Sequence, residues 1–188
     1  MARAKVVLFH PRVTDPALHR LPWPILQLAG NLPCERYTVQ LVDGGKEPDA
    51  SGALVDAARD ADVGGFSCVT GNQTINALAG ARALRRAYPS LPLVWGGAHP
   101  SMHPEQTLSD PNVDVVVQGQ GEASFVAVCD ALVDGQPPAD IPGVSYKAAR
   151  GELVMGSKSK MADQNQFGRP PFELIDPAKY LVHILVGS

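Results

Sequence analysis

The densest collection of residues able to do chemistry lies between positions 93 and 110, LVWGGAHPSMHPEQTLSD, where His99 and His103 stand four residues apart. On a helix that spacing would put two imidazoles on one face, as in a zinc pair. Pro100 and Pro104 interrupt the helix such a pair needs, so no metal site is expected. Cys34, Cys68 and Cys129 are odd in number and widely spaced, which suits reduced thiols better than disulfides or zinc. His10 ends an apolar run, and Asp15 and His19 share a loop that does not fix them as an acid–base pair. No Ser/His/Asp or Cys/His nucleophile set can be assembled, and no catalytic residue is expected.

What the sequence offers instead is exposed backbone. Ser67 to Asn72, Gly96 to His103 and Gly119 to Glu122 are rich in glycine or small polar residues, and each follows an apolar run. Turns need glycine for their own reasons, but three such segments suggest a ligand that approaches the main chain closely. Phosphate loops fit poorly. GQGE at 119–122 lacks the third glycine of a dinucleotide fingerprint, no G-x-x-x-x-G-K-[ST] occurs, and no glycine stands between His10 and Ala29.

The elements that would position these segments alternate. Strands are expected at 5–11 (KVVLFHP), 37–45, 63–70, 91–97 and 113–119, and helices at 23–32, 50–62, 72–89 and 122–135. Helix 50–62 should turn Leu54, Val55, Ala58 and Ala61 inward. Helix 72–89 should do the same with Ile75, Leu78, Ala79 and Leu84, leaving Arg82, Arg85 and Arg86 mostly outward. Continuous apolar strands between helices predict a doubly wound α/β fold, a five-stranded parallel sheet in the flavodoxin-like order 2-1-3-4-5. Its ligand would then sit outside the carboxyl ends of the strands. Trp95 is expected in the core. After 1–140, residues 141–156 read as a β-hairpin turning at Ala149–Arg150–Gly151. Residues 157–188 read as a polar linker that ends in an apolar run, LVHILVGS, and suggest the front of a longer protein.

With 45% hydrophobic and 19% charged residues the chain is globular, and a net charge of -3 argues against a nucleic-acid surface. No run of about 18 apolar residues implies a membrane span. The cysteine pattern suits the cytoplasm.

The ordered set LPWPILQLAGNL, YTVQLVDGG, VGGFSCVTGNQ, LPLVWGGAHPSMHPEQTL, VDVVVQGQGEASF, IPGVSY and FELIDPAKY resembles the amino-terminal cobalamin-binding domain of cobalamin-dependent radical S-adenosylmethionine enzymes. The most specific part is a strand ending in two glycines plus HP…PE, followed by a strand ending in GxGE. The resemblance implies a corrinoid across the carboxyl edge of the sheet, held base-off with its nucleotide tail inserted between the loops. It implies that Ser67 and Thr70 offer hydroxyls to the tail, and that Gly96, Gly97, Ala98 and His99 let it approach. Gly119, Gln120 and Gly121 would line the far end, and the loop Thr70–Gly71–Asn72 would shield the lower face of cobalt. Two departures stand out. Gln120 replaces the acid of the usual GEGE, and no D-x-H-x-x-G follows the first strand, since Asp15 precedes Pro16 and Ala17.

The C-x-x-x-C-x-x-C that holds the family's four-iron four-sulfur cluster is absent, so S-adenosylmethionine and the cluster would belong to a catalytic domain supplied in cis or in trans. The implied role is to hold cobalamin for that partner, in methyl transfer or oxidative cyclisation, without catalysis by this chain alone. The competing expectation is a flavodoxin-like nucleotide- or flavin-binding carrier with no corrinoid.

Overall fold

Residues 2–13, 21–157, 159 and 161–180 are described by a computed structural model of the protein. Along them run β1 (Ala4–His10), α1 (Trp23–Ala29), β2 (Tyr37–Asp43), α2 (Ala50–Ala57), β3 (Val63–Ser67) and α3 (Asn72–Ala87). Then follow β4 (Leu93–Gly96), α4 (Ala98–Met102), α5 (Pro104–Leu108), β5 (Val115–Val117), α6 (Glu122–Val133), β6 (Val144–Lys147) and β7 (Leu153–Val154).

The sheet has the order β2-β1-β3-β4-β5-β6-β7. Its first five members are parallel in the expected arrangement, while β6 and β7 add antiparallel to the β5 edge. The hairpin at 141–156 therefore extends the same sheet to seven strands, turning at Gly151, whose N–H bonds the Ala148 carbonyl at 2.8 Å. Two apolar layers cover the sheet. One joins Phe9, Phe66 and Trp95 to α2 and α3, with Phe66 and Trp95 stacked at 5.1 Å. The other joins Val94, Val117 and Phe125 to α1 and α6. Trp95 is in the core, as its place on a strand implied.

Three local expectations change. Helix α3 buries Gln73, Ala77, Gly80, Ala81 and Leu84, whereas Ile75 is 65% exposed and Ala79 also faces out. Small residues set its phase: a β-carbon at Gly80 would meet Phe9 at 2.9 Å and Leu54 at 3.0 Å, so the helix turns its narrow side to the sheet. Residues 98–108, where Pro100 and Pro104 were expected to interrupt a helix, form two short helices that break at His103. Pro100 and Pro104 fall in first turns, where the missing N–H costs nothing. Residues 161–180, though polar and without period, are not bare chain: they form three single 3-10 turns.

This last segment is a strap along α1. Its Gly168 N–H bonds Asn31 Oδ1 at 3.0 Å and its Gly168 carbonyl accepts from Gln27 Nε2 at 3.2 Å. Phe172 lies against Trp23 with ring centroids 6.1 Å apart, and the Tyr180 hydroxyl donates to Asp43 Oδ2 at 2.6 Å. The strap crosses the chain at Gly30, where a β-carbon on Gly168 would fall inside the Gly30 carbonyl. Gly168→Val should therefore lift the strap from α1, and limited proteolysis should cut within 157–180 much faster in the variant than in the wild type.

Candidate ligand-binding cleft

At the carboxyl ends of β3, β4 and β5 the layer facing α1 and α6 runs out of large side chains. Alternation along the strands sends Phe66 and Trp95 to one face. Their neighbours Ser67 and Gly96, paired in register, point to the other, where Val117 of β5 also points. A serine and a glycine cannot reach α1 or α6, and a cleft of about 520 Å³ remains between sheet and helices. Its volume falls within the range of small-molecule sites, roughly 300–1,000 Å³. Leu28 of α1 and Phe125 of α6 form the opposite wall, with Trp23, Pro24 and Gln27 towards the start of α1. Gly119, Gln120, Gly121 and Glu122 close one end, and Met161 and Gln164 of the strap lie along the outside.

The two glycines of the pair do different work. A β-carbon at Gly96 would meet nothing closer than the Val117 carbonyl at 3.6 Å, an ordinary contact, so its bareness keeps cleft volume free. Gly97 has φ +99°, and a β-carbon there would lie 2.5 Å from the Cys68 carbonyl oxygen. Gly97 is therefore glycine because the β3–α3 loop packs on it, which is a requirement of the fold. Gly121 behaves like Gly96: a β-carbon would find Leu28 at 3.5 Å and Val117 at 3.7 Å.

Of the residues singled out in the sequence, Ser67, Gly96, Gly97, Gly119, Gln120 and Gly121 line the cleft. Thr70, Gly71, Asn72, Ala98 and His99 do not. They sit on the rim at the starts of α3 and α4, where Thr70 Oγ1 and His99 Nδ1 approach to 3.3 Å and tie the two loops together. Ser67 is 7% exposed, and its hydroxyl bonds no side chain or carbonyl among the described residues. Gln120 Oε1 accepts from the Ala162 N–H at 2.7 Å, so the amide that replaces the usual acid fastens the strap. Sequence reasoning missed the α1 wall, Phe125 and the two strap residues as a site. The one available signal was Trp23, a large apolar residue at a helix start, which remains 52% exposed.

Among the described residues no cluster of three His, Cys, Asp or Glu is placed to hold an ion. His99 and His103 do come close, with ring centroids 5.4 Å apart, because they are one helical turn apart: His99 lies in α4, and its carbonyl accepts from the His103 N–H at 3.0 Å. Burial pushes the Cys68 thiol up to about 12, so it stays protonated and unreactive near neutrality. His10 is 8% exposed, with its ring 3.5 Å from Gln73 Nε2; Gln73 also donates to the Pro11 carbonyl at 2.9 Å and holds the two loop bases together. Asp15, His19 and the run LVHILVGS lie outside the described residues. No described helix is long and apolar enough to cross a membrane.

A doubly wound domain with a small-molecule cleft between the carboxyl ends of its strands and one helical layer is what fold and site together define. The model of the B12 binding domain matches residues 19–129, more than half of the sequence, and the chain belongs to that family. An uncharacterised methyltransferase of Pyrococcus horikoshii is 27% identical over 149 residues, 78% of this chain and 32% of the relative. The 2-(S-pantetheinyl)-carbapenam-3-carboxylate methyltransferase of Streptantibioticus cattleyicolor is 30% identical over 152 residues, 80% of this chain and 20% of the relative. The anaerobic magnesium-protoporphyrin IX monomethyl ester cyclase of Synechocystis is 28% identical over 98 residues, 52% of this chain and 19% of the relative. The chain thus spans a third or less of the length of these curated relatives.

Among solved structures, the fold is shared with the radical S-adenosylmethionine methyltransferase TsrM of Kitasatospora setae, with cobalamin and a four-iron four-sulfur cluster bound. The TM-score is 0.71 at 20% identity, over 90% of this chain and 31% of that one. The cobalamin-dependent S-adenosylmethionine radical enzyme OxsB, with aqua-cobalamin and S-adenosylmethionine bound, gives 0.69 at 19% identity, over 85% of this chain and 23% of that one.

Burial, and then the charge of His103, hold His99 below its ordinary value of 6.5. A lowered pKa in the folded state means that the neutral ring is favoured there. Its contribution is complete above about pH 6.5 and is lost as the pH falls through the lower folded value. The thermal midpoint should drop between pH 7 and pH 5, and His99→Asn should flatten that slope.

Proposed function

We propose that this domain holds a corrinoid base-off, with the corrin across the carboxyl edge of the sheet and the nucleotide tail in the cleft. The observation that carries the reading is the missing wall at Ser67 and Gly96, which leaves an apolar slot with one buried, uncommitted hydroxyl. A flat benzenoid base suits such a slot, since it needs van der Waals contact on both faces and few polar partners. Leu28, Val117 and Phe125 would give those contacts. Ser67 would donate to the ring nitrogen, and Gly119, Gln120 and Gly121 would border the ribose phosphate. Thr70, Gly71, Asn72, Ala98 and His99 would lie under the corrin, where their small or polar side chains and close loop packing leave the edge of the sheet flat.

Bound cobalamin supplies a cobalt centre able to carry a methyl group or to support radical chemistry. This chain's residues bind and orient it and exclude water from its tail. The parent activity, by likeness to the methyltransferases and the cyclase, is methyl transfer or oxidative cyclisation. It would be carried out with a radical S-adenosylmethionine domain in cis or in trans that brings its own cluster and S-adenosylmethionine. Residues 1–140 would form the binding unit, 141–156 its edge, and 157–188 the path to that domain, in a cytoplasmic protein with no nucleic-acid or membrane partner.

Two glycine variants separate binding from folding. Gly96→Leu should cut retention of hydroxocobalamin on a desalting column at least about tenfold while leaving the urea midpoint at or above the wild-type value. Gly97→Ala should lower stability by at least about 1–3 kcal/mol, the cost of a strained left-handed residue alone, to which the clash with the Cys68 carbonyl is added. Wild-type retention by Gly96→Leu would place the tail elsewhere.

A further inference from the structure

We propose that the cleft selects corrinoids by the base of their tail, accepting an apolar benzenoid base and rejecting a purine. The inference rests on the corrinoid reading above and names the ligand class within it. The deep walls are Val94, Val117 and Phe125, all 3% exposed or less, with Leu28 on the side of α1. Ser67 is the one buried polar side chain on the lining. The remaining polar side chains, Gln27, Gln120, Glu122 and Gln164, are half-buried or exposed. Two of them are already committed: Gln27 Nε2 to the Gly168 carbonyl, and Gln120 Oε1 to the Ala162 N–H.

Among side chains, that inventory can satisfy one acceptor at depth. Dimethylbenzimidazole presents one unsubstituted ring nitrogen, for which the Ser67 hydroxyl suffices, and two methyl groups that match the valine and phenylalanine walls. Adenine in the same place presents three unsubstituted ring nitrogens and an amino group. At least two of these would be taken from water without a partner, and each buried unpaired group carries a penalty that a flat apolar wall cannot return. The difference is asymmetric. A polar slot could accept either base, but an apolar one loses affinity for the polar base alone. Ring area is nearly the same for both, so the discrimination follows from hydrogen bonding and not from size.

The test titrates the 188-residue chain with three diaquo or aquo corrinoids, followed by calorimetry or by retention on desalting: cobalamin, its adenine-tailed counterpart, and tailless cobinamide. Cobalamin should bind at least about tenfold more tightly than the adenine form, the equivalent of one unpaired buried polar group. Val117→Thr, which keeps the shape and adds a hydroxyl to the wall, should narrow that ratio several-fold. Ser67→Ala should weaken cobalamin and leave cobinamide unchanged. Equal affinity for the two tailed forms overturns base selection while leaving the corrinoid reading intact. Cobinamide binding as tightly as cobalamin removes the tail from the cleft and the proposal with it. Binding of none of the three overturns the corrinoid reading on which the proposal stands.

Discussion

A protein interior closes only where facing side chains are large enough to meet, and at the ends of β3 and β4 they are not. Ser67 and Gly96 leave the sheet one layer short of α1 and α6, while the same strands a residue earlier place Phe66 and Trp95 in a stacked, closed core. A leucine at Gly96 would bury roughly 1.5–3 kcal/mol of apolar surface that the domain forgoes. Backbone sterics do not forbid it, since a β-carbon there has ordinary contacts. The open cleft is therefore maintained against the pull of packing. The rest of the domain is arranged around it: the sheet order that brings three strand ends together, the short α1 that stops at Gly30, and the strap that borders the opening.

The strap gives the far end of the domain a structural role. Hydrogen bonds donated by Ala162, Gly168 and Tyr180 to Gln120, Asn31 and Asp43, and one donated by Gln27 of α1 to the Gly168 carbonyl, fasten it. Each such bond contributes about 0.5–1.5 kcal/mol net, so the strap holds as a set and any single contact is dispensable. Met161 and Gln164 also line the cleft, so the strap borders the same opening as the ends of β3, β4 and β5.

Much of the architecture was legible in the sequence, because continuous apolar strands separated by amphipathic segments admit few arrangements. The parallel order 2-1-3-4-5 and the hairpin after residue 140 follow from that pattern. The phase of α3 was not legible. Periodicity weights large residues such as Ile75, whereas the packed face is chosen by what fits, and Gly80 and Ala81 fit. The two helices of 98–108 were hidden because proline was read as a breaker, although in a first turn it is compatible with a helix. Within the cleft, the sheet side was visible as small residues at strand ends. Its opposite wall was not, because Leu28 and Phe125 look like any other core residues until the gap facing them is seen. Gly96 and Gly97, identical in sequence, have separate purposes that only the backbone angle and the nearness of Cys68 distinguish.

The most direct test of the account is a crystal structure of the chain grown with hydroxocobalamin. The dimethylbenzimidazole base should lie between Gly96 and Phe125 at van der Waals distance, with the Ser67 hydroxyl on its free ring nitrogen. A corrinoid bound with its base still coordinated to cobalt, and side chains or water in the cleft, would contradict it.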